Sequence, residues 1–307
     1  MIRIKMKKSL FYILSFLLVA NAFSATKKTG WEEDGLKGKV KERVEIDYNI
    51  KRQSDEDIKE IEKKSITKYD AKGYKIEKTK YNEKGALTER LTYNYDDKGN
   101  WIGVTDYNAD GIMTAKGVFT YDGKGNQIEE AWHNAEGALY LKEIYKYDEK
   151  GNQIEASRYN ESEVLVSKYI SMYDAKSNLI ELAIYNADGV LSSKSVCKYD
   201  AKNKQIEEVK YEVDGALKNK SISKYDDKGN QIEQAYYNAD GTTLRCKSIL
   251  KYDEKGNMIE WGSYTASSNW KNIYKYDDNR NEIEKAHTYD YKEGTLSSIT
   301  STSYTYY

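Results

Sequence analysis

The sequence contains no proline, and only two cysteines and two histidines, among its 307 residues. Proline cannot donate to a sheet ladder, so its absence is compatible with a chain that is nearly all internal strand. A coding bias against proline would leave the same record. His133 and His287 have no convergent acid, base or ligand partners in the sequence, and neither is expected to bind metal or act catalytically. No phosphate-cradling glycine loop, nucleophile elbow or paired-histidine zinc helix is present. The chain is therefore read as a non-enzyme that needs no cofactor.

Basic excess is also missing. Of the 49 Lys and Arg, four (Arg3, Lys5, Lys7 and Lys8) belong to the first residues, and the rest face 50 Asp and Glu. A protein that neutralised phosphates would carry the opposite balance, so nucleic acid is excluded as a partner. Those four residues precede an apolar run, Leu10 to Val19, and a small-residue site, Ala20-Asn21-Ala22. This is the pattern of a secretory signal peptide over residues 1–22. The run is short for a membrane span, and no cysteine follows it to carry a lipid. No later segment reaches 18 apolar residues, so the mature chain is expected to be exported without membrane insertion, to periplasm, cell surface or medium.

What the sequence does have is a period. Tyr-Asp recurs at Tyr69, Tyr95, Tyr121, Tyr147, Tyr173, Tyr199 and Tyr225, at intervals of 26 residues, and again at Tyr252 and Tyr276. An isoleucine lies seven residues beyond each of them, as Ile154 does beyond Tyr147. A fixed period of this length marks an array of identical supersecondary units. Each unit reads as a β-hairpin, for example Leu139–Tyr147 and Gln153–Tyr159 around the loop Asp148-Glu149-Lys150-Gly151-Asn152. Glycine holds the left-handed position of that loop in most copies, and Ser177 and Arg280, which replace it, should give strained or differently shaped turns. A second turn, such as Asn186-Ala187-Asp188-Gly189, joins one hairpin to the next. Both connections are too short for a parallel crossover. The expectation is an all-β fold, a continuous antiparallel meander of about twenty strands forming a curled or coiled ribbon.

Residues 66–307 make the regular array. Residues 23–65 hold a loose tail, a worn first copy from Val40 to Tyr48, and a charged insertion from Asn49 to Lys63 expected to be a solvated loop. If Asp148 opposes Asn152, strict alternation puts Ile144, Ile154, Lys142, Lys146 and Ala156 on one face, with Tyr145, Tyr147, Leu141, Tyr159 and Glu155 on the other. The turn between hairpins extends the second set, placing Tyr185 opposite Leu191 on the tyrosine face. Cys197 and Cys246 fall about four strands apart, near 19 Å, and so are expected not to form a disulfide. Asp and Asn in the hairpin loops suggest calcium ligands, but Lys150, Lys98, Lys228 and Lys255 sit among them, and the residues are read as turn formers.

The string Tyr-x-Tyr-Asp-x-Lys-Gly-Asn-x-Ile, seen in Tyr145 to Ile154 and Tyr93 to Ile102, resembles the YD repeat of RHS-type bacterial surface and toxin proteins. Units such as Tyr185 to Leu191 are more weakly similar to MORN-like hairpin arrays. The RHS resemblance implies a wound ribbon of hairpins and a binding role toward carbohydrate or cell-surface ligands; the chain is short beside the large members and is not expected to enclose a toxin domain. The ligand handles that vary the repeat are Trp101, Trp132, Trp261 and Trp270, because an aromatic ring on an open face can stack on a sugar. The expected function is a binding module for a glycan or cell-surface protein. The alternative is a purely structural ribbon that self-associates through unpaired end strands near Val40 and Tyr304.

Overall fold

The computed structural model describes residues 29–53, 56–290 and 295–307; the leader at 1–22 and the tail residues 23–28 lie outside them. A single turn of helix, α1 (Gly30–Glu33), is capped by Thr29 and Glu32. The strands then follow as β1 (Val40–Gln53), β2 (Glu56–Tyr69), β3 (Lys75–Asn82), β4 (Leu87–Tyr95), β5 (Trp101–Asn108), β6 (Met113–Tyr121) and β7 (Gln127–Asn134). The series continues with β8 (Leu139–Tyr147), β9 (Gln153–Asn160), β10 (Leu165–Tyr173), β11 (Leu179–Asn186), β12 (Leu191–Tyr199), β13 (Gln205–Tyr211) and β14 (Leu217–Tyr225). It ends with β15 (Gln231–Tyr237), β16 (Leu244–Tyr252), β17 (Met258–Tyr264), β18 (Asn269–Tyr276), β19 (Glu282–Asp290) and β20 (Thr295–Tyr306).

Each strand pairs antiparallel with the next, as the short turns require. The expected curled ribbon is corrected at its ends. Val40 pairs with Tyr306, Arg43 with Tyr304 and Tyr48 with Ile299, so β1 and β20 close the sheet into a barrel. The strands near Val40 and Tyr304 thus satisfy each other, which removes the unpaired edges invoked for self-association. Closure abolishes the edge that a wide twisted sheet would otherwise expose. Twenty strands at about 4.8 Å make a girth on the order of 100 Å before tilt, too wide for side chains to fill.

The two kinds of turn are one device used twice. In the hairpin loop Asp148 N donates to Asn152 O at 2.9 Å and Gly151 N to Asp148 O at 3.1 Å, with Gly151 at φ 85°. Between hairpins Asn186 N donates to Val190 O at 3.0 Å and Gly189 N to Asn186 O at 3.1 Å, with Gly189 at φ 76°. Ser177 and Arg280 keep the same hydrogen bonds at φ 64° and 69°. Their turns are therefore strained rather than reshaped.

The face assignment needs correcting, because each turn adds a bulge. Tyr147 pairs with Gln153 but Lys146 pairs with Glu155, which leaves Ile154 as the extra residue. One inserted residue flips everything beyond it to the other face. Ala156 consequently lies opposite Tyr145, and Glu155 lies with Lys146. Tyr159 pairs with Lys142, and Tyr185 with Lys168, so these tyrosines share the lysine face instead of joining Tyr145. The phenols are divided between both faces.

Among the wall's larger side chains, burial tells the faces apart. Tyr145, Phe119, Val104 and Tyr274, all on one face, are 4–7% exposed, because side chains converge on the concave side of a closed sheet. Lys146, Lys198 and Lys224 on the other keep 61–66% of their side chains exposed and splay outward. There they form ladders: Glu155 bridges Lys146 and Lys168, Glu207 bridges Lys198 and Lys220, and Glu233 bridges Lys224 and Lys247.

The charged insertion at 49–63 is also corrected. Backbone pairing continues from Tyr48↔Ile61 to Lys51↔Ile58, so within the described residues it extends a long hairpin instead of looping. The residues 29–39 bridge the seam where the barrel closes. Trp31 N donates to Gly73 O at 3.1 Å, Trp31 Nε1 to Val40 O at 2.5 Å, and Lys37 N to Asn281 Oδ1 at 2.6 Å. Leu36, Val40 and Tyr69 form a small core with Trp31 and Tyr304 packed against it.

Candidate functional site

The repeated motif is occupied in holding the wall together. The hydroxyl of Tyr147 donates to Gln127 O at 2.7 Å, Tyr173 to Gln153 O at 2.9 Å and Tyr199 to Leu179 O at 2.9 Å. Each phenol satisfies a carbonyl at the start of a strand in the preceding hairpin, where the ladder between hairpins has run out. The Asp of the motif serves its own turn. Asp148 Oδ1 accepts from Lys150 N at 2.9 Å and Asn152 N at 2.8 Å, and its Oδ2 from Asn152 Nδ2 at 2.8 Å. A carboxylate saturated by these donors is a turn element, as expected of the loops.

The four tryptophans stand on the concave face, in two patches. Trp101 of β5 lies 4.5 Å from the Phe119 ring and 6.0 Å from Tyr93, and Phe119 meets Trp132 of β7 edge-on at 6.1 Å. Trp261 of β17 meets Trp270 of β18 edge-on at 5.0 Å, and Trp270 lies 5.6 Å from His287. The route from β7 to β17 runs ten strands along the wall, and from β18 to β5 seven through the seam. The structure therefore joins Trp101 with Trp132 and Trp261 with Trp270, and holds the pairs apart.

The first patch carries acid. Glu130 of β7 lies directly across from Glu143 of β8 and from Phe119 of β6. Glu143 is answered by Arg158, whose Nε and a terminal nitrogen approach its Oε1 at 2.7 and 2.5 Å. Glu130 accepts from Trp132 Nε1 at 2.5 Å and Gln127 Nε2 at 3.3 Å. The Tyr145 hydroxyl sits between the carboxylates, 2.8 Å from Glu143 Oε2 and 3.2 Å from Glu130 Oε2. Burial, reinforced by Glu143, raises the Glu130 carboxyl above the usual carboxylate range. Two strands away Asp106 is raised by burial and by Glu89, and its Oδ1 is buried without a hydrogen-bond partner. Gly117 lets the rings lie close to the wall, since a Cβ there would stand 3.0–3.2 Å from Val104, Phe119 and Trp132.

Residues 211–261 match the family described as protein of unknown function (DUF2963), a stretch from the end of β13 into β17. No curated protein matches the chain. Among solved structures it is similar to a TcdB2-TccC3-Cdc42 complex, at 10% identity and a TM-score of 0.32, over 82% of this chain and 19% of that one. The Photorhabdus luminescens Tc holotoxin pore matches at 10% identity and a TM-score of 0.31, over 82% and 18%. A porin-like protein from Bacteroides uniformis matches at 8% identity and a TM-score of 0.36, over 86% and 95%. The chain thus spans about a fifth of the length of the toxin chains.

The second patch has a different character. His287 Nδ1 lies 2.7 Å from Asn272 Oδ1, and burial, followed by Lys285, lowers its pKa. His133 pairs with Leu139 as Tyr185 does with Leu191, the place of a substituted tyrosine. Cys197 of β12 and Cys246 of β16 are free thiols four strands apart, and burial pushes Cys197 up to about 11. Among the described residues no three His, Cys, Asp or Glu converge as metal ligands. Sequence reasoning missed Glu130, Glu143, Arg158 and Asp106. Their signal lay in comparing equivalent positions of successive copies, which is informative only once the bulges fix the faces.

Proposed function

We propose that the protein is an exported, non-enzymatic binding protein that takes up a glycan on the concave face of its barrel. One observation carries the reading. The outer position held by Glu155 is glutamate in eight of nine copies, from Glu77 to Glu284, with Gly103 the exception. The inner position one residue on is Lys78, Val104, Glu130, Ala156, Leu182, Glu208, Gln234, Trp261 and Lys285, seven residue types in nine copies. The outer position is nearly constant, and the inner one varies from repeat to repeat. Repetition serves the wall, and divergence at an inward-facing position is what a ligand-specific surface needs.

The tryptophans belong to the divergent face, and polar groups beside them suit sugar hydroxyls. A lipid-facing wall is disfavoured, since Lys-Glu ladders cover the outside and Glu130, Glu143 and Arg158 stand inside. Export rests on the leader pattern of residues 1–22, and the amino-terminal sequence of the mature protein checks it. A glycan array probed with the mature chain tests the binding: binding to defined glycans that weakens in Trp132→Ala or Trp261→Ala supports it, and a blank array overturns it.

A further inference from the structure

Resting on that glycan reading, we infer that the patch between β4 and β8 selects a sugar bearing a protonated amine. The argument is a count of charges and donors. Glu143 has Arg158 as its counterion, and Glu89 has Lys80 at 2.6 Å. Glu130 and Asp106 make no ion pair among the described residues. Both Glu130 oxygens accept a hydrogen bond, Oε1 from Trp132 Nε1 and Oε2 from Gln127 Nε2, but no cation answers its charge. A single phenol proton on Tyr145 stands between it and Glu143, and the hydroxyl is nearer to Glu143. Asp106 Oδ1 is buried with no partner at all. A buried carboxylate is ordinarily paired with a cation, so two without one, and one of them with an oxygen that has no donor, mark a place where a cation with N–H donors is wanted.

The surroundings favour an amine carried on a sugar. Trp132 pairs across to Gly117, whose missing side chain leaves the ring lying close against the wall, with Phe119 edge-on beside it. An ammonium over such rings gains cation–π attraction, and the aliphatic face of a pyranose gains contact area. The other tryptophan patch has Lys285 and His287 beside it instead of an unanswered acid. It is suited to a neutral sugar, which makes the two patches internal controls for each other.

The test is titration of the mature protein, followed by calorimetry, with three hexasaccharides at slightly acidic pH: β-1,4-glucosamine, its N-acetylated form, and cellohexaose. The expected result is a preference for the amine-bearing hexamer of roughly tenfold or more, the value of one charge-assisted hydrogen bond. Glu130→Gln and, separately, Asp106→Asn should each reduce that preference. Glu207→Gln on the outer ladder should leave it unaltered, and circular dichroism of each variant establishes that it folds. Equal binding of all three hexamers overturns the amine inference and leaves the glycan reading standing. Binding of none overturns the glycan reading itself. Tighter binding of oligolysine than of the glucosamine hexamer overturns the assignment to a sugar.

Discussion

The regular wall and the seam hold the same sheet by opposite means. In the wall, from β3 to β18, the contacts that join one repeat to the next are local and duplicated: a phenol to a carbonyl about twenty residues back, an Asp to its own turn, a Lys to the Glu across from it. At the seam the contacts join residues 238 and 244 positions apart, as in Tyr307 with Tyr69 O and Lys37 with Asn281, and each occurs once. The side chains buried below 2% exposure, Val40, Tyr69 and Asn281, are all at the seam. Redundancy makes the wall tolerant, whereas closing a long chain end to end costs entropy that a few unique contacts must offset.

The largest expected effect follows from removing the seam's core. Trp31→Ala deletes a ring packed against Leu36, Val40 and Tyr69, together with its bond to Val40 O. Loss of a core aromatic costs about 3–5 kcal/mol, and a half-buried one such as Trp31 falls toward the lower end. Chemical denaturation should show that loss, and hydrogen exchange should rise at β1 and β20 before it rises at β10. Uniform exchange across all strands would show that the barrel has no distinct seam.

Asn281→Ala comes next. Its amide accepts from Lys37 N and donates to Lys37 O at 2.9 Å and Tyr306 Oη at 2.8 Å. Leaving those buried partners unmet costs about 1–3 kcal/mol. The matching change in the wall, Tyr147→Phe, removes one clasp of many and should cost about 0.5–1.5 kcal/mol by denaturant titration. If the two substitutions cost the same, the contrast between unique and duplicated contacts fails.

Acid should strain the wall through its turns and ladders. Hydrogen bonds from Asn126 hold the Asp122 carboxyl below its usual range, Asn230 does so for Asp226, and Lys198 and Lys220 do so for Glu207. A carboxyl depressed in the folded state contributes stability above its unfolded pKa, and that contribution is lost as pH falls through the folded value. Glu130 and Asp106 have the opposite sign: raised by burial, they favour the folded state on protonation. The melting temperature should therefore fall below about pH 4, and Glu130→Gln should cut the compensating gain inside.

What could be read in advance follows the same division. The strands and turns were legible because Asp148, Gly151 and Asn152 determine their conformation within five residues of chain. Closure was not, since no local rule pairs Val40 with Tyr306; it comes from twist and curvature accumulated over the whole wall. The faces were misassigned at Ala156 and Glu155 because a bulge at Ile154 shifts parity without any change in the repeat's length. The tryptophans were picked out as departures from the repeat; the structure places the four on one face, in two separate patches. The acids beside them were hidden, because Glu130 and Glu129 look alike until one is known to face inward and the other outward.

The smallest effect separates wall from seam most finely. Ser177 and Arg280 hold the same left-handed position, one inside the wall and one in the turn next to the seam. Glycine relieves the strain of that conformation, a gain of about 1 kcal/mol at either site. Ser177, however, accepts a hydrogen bond from Asn152 Nδ2 at 3.1 Å, part of the lacing between neighbouring turns, and glycine forfeits it. Arg280→Gly should therefore raise the melting temperature and Ser177→Gly should leave it nearly unchanged. Arg280 also precedes Asn281, so strain relieved there is relieved beside the residue that ties Lys37 and Tyr306 together. Equal stabilisation by the two substitutions would mean that turn strain alone sets their effect, and that the lacing between turns contributes nothing measurable.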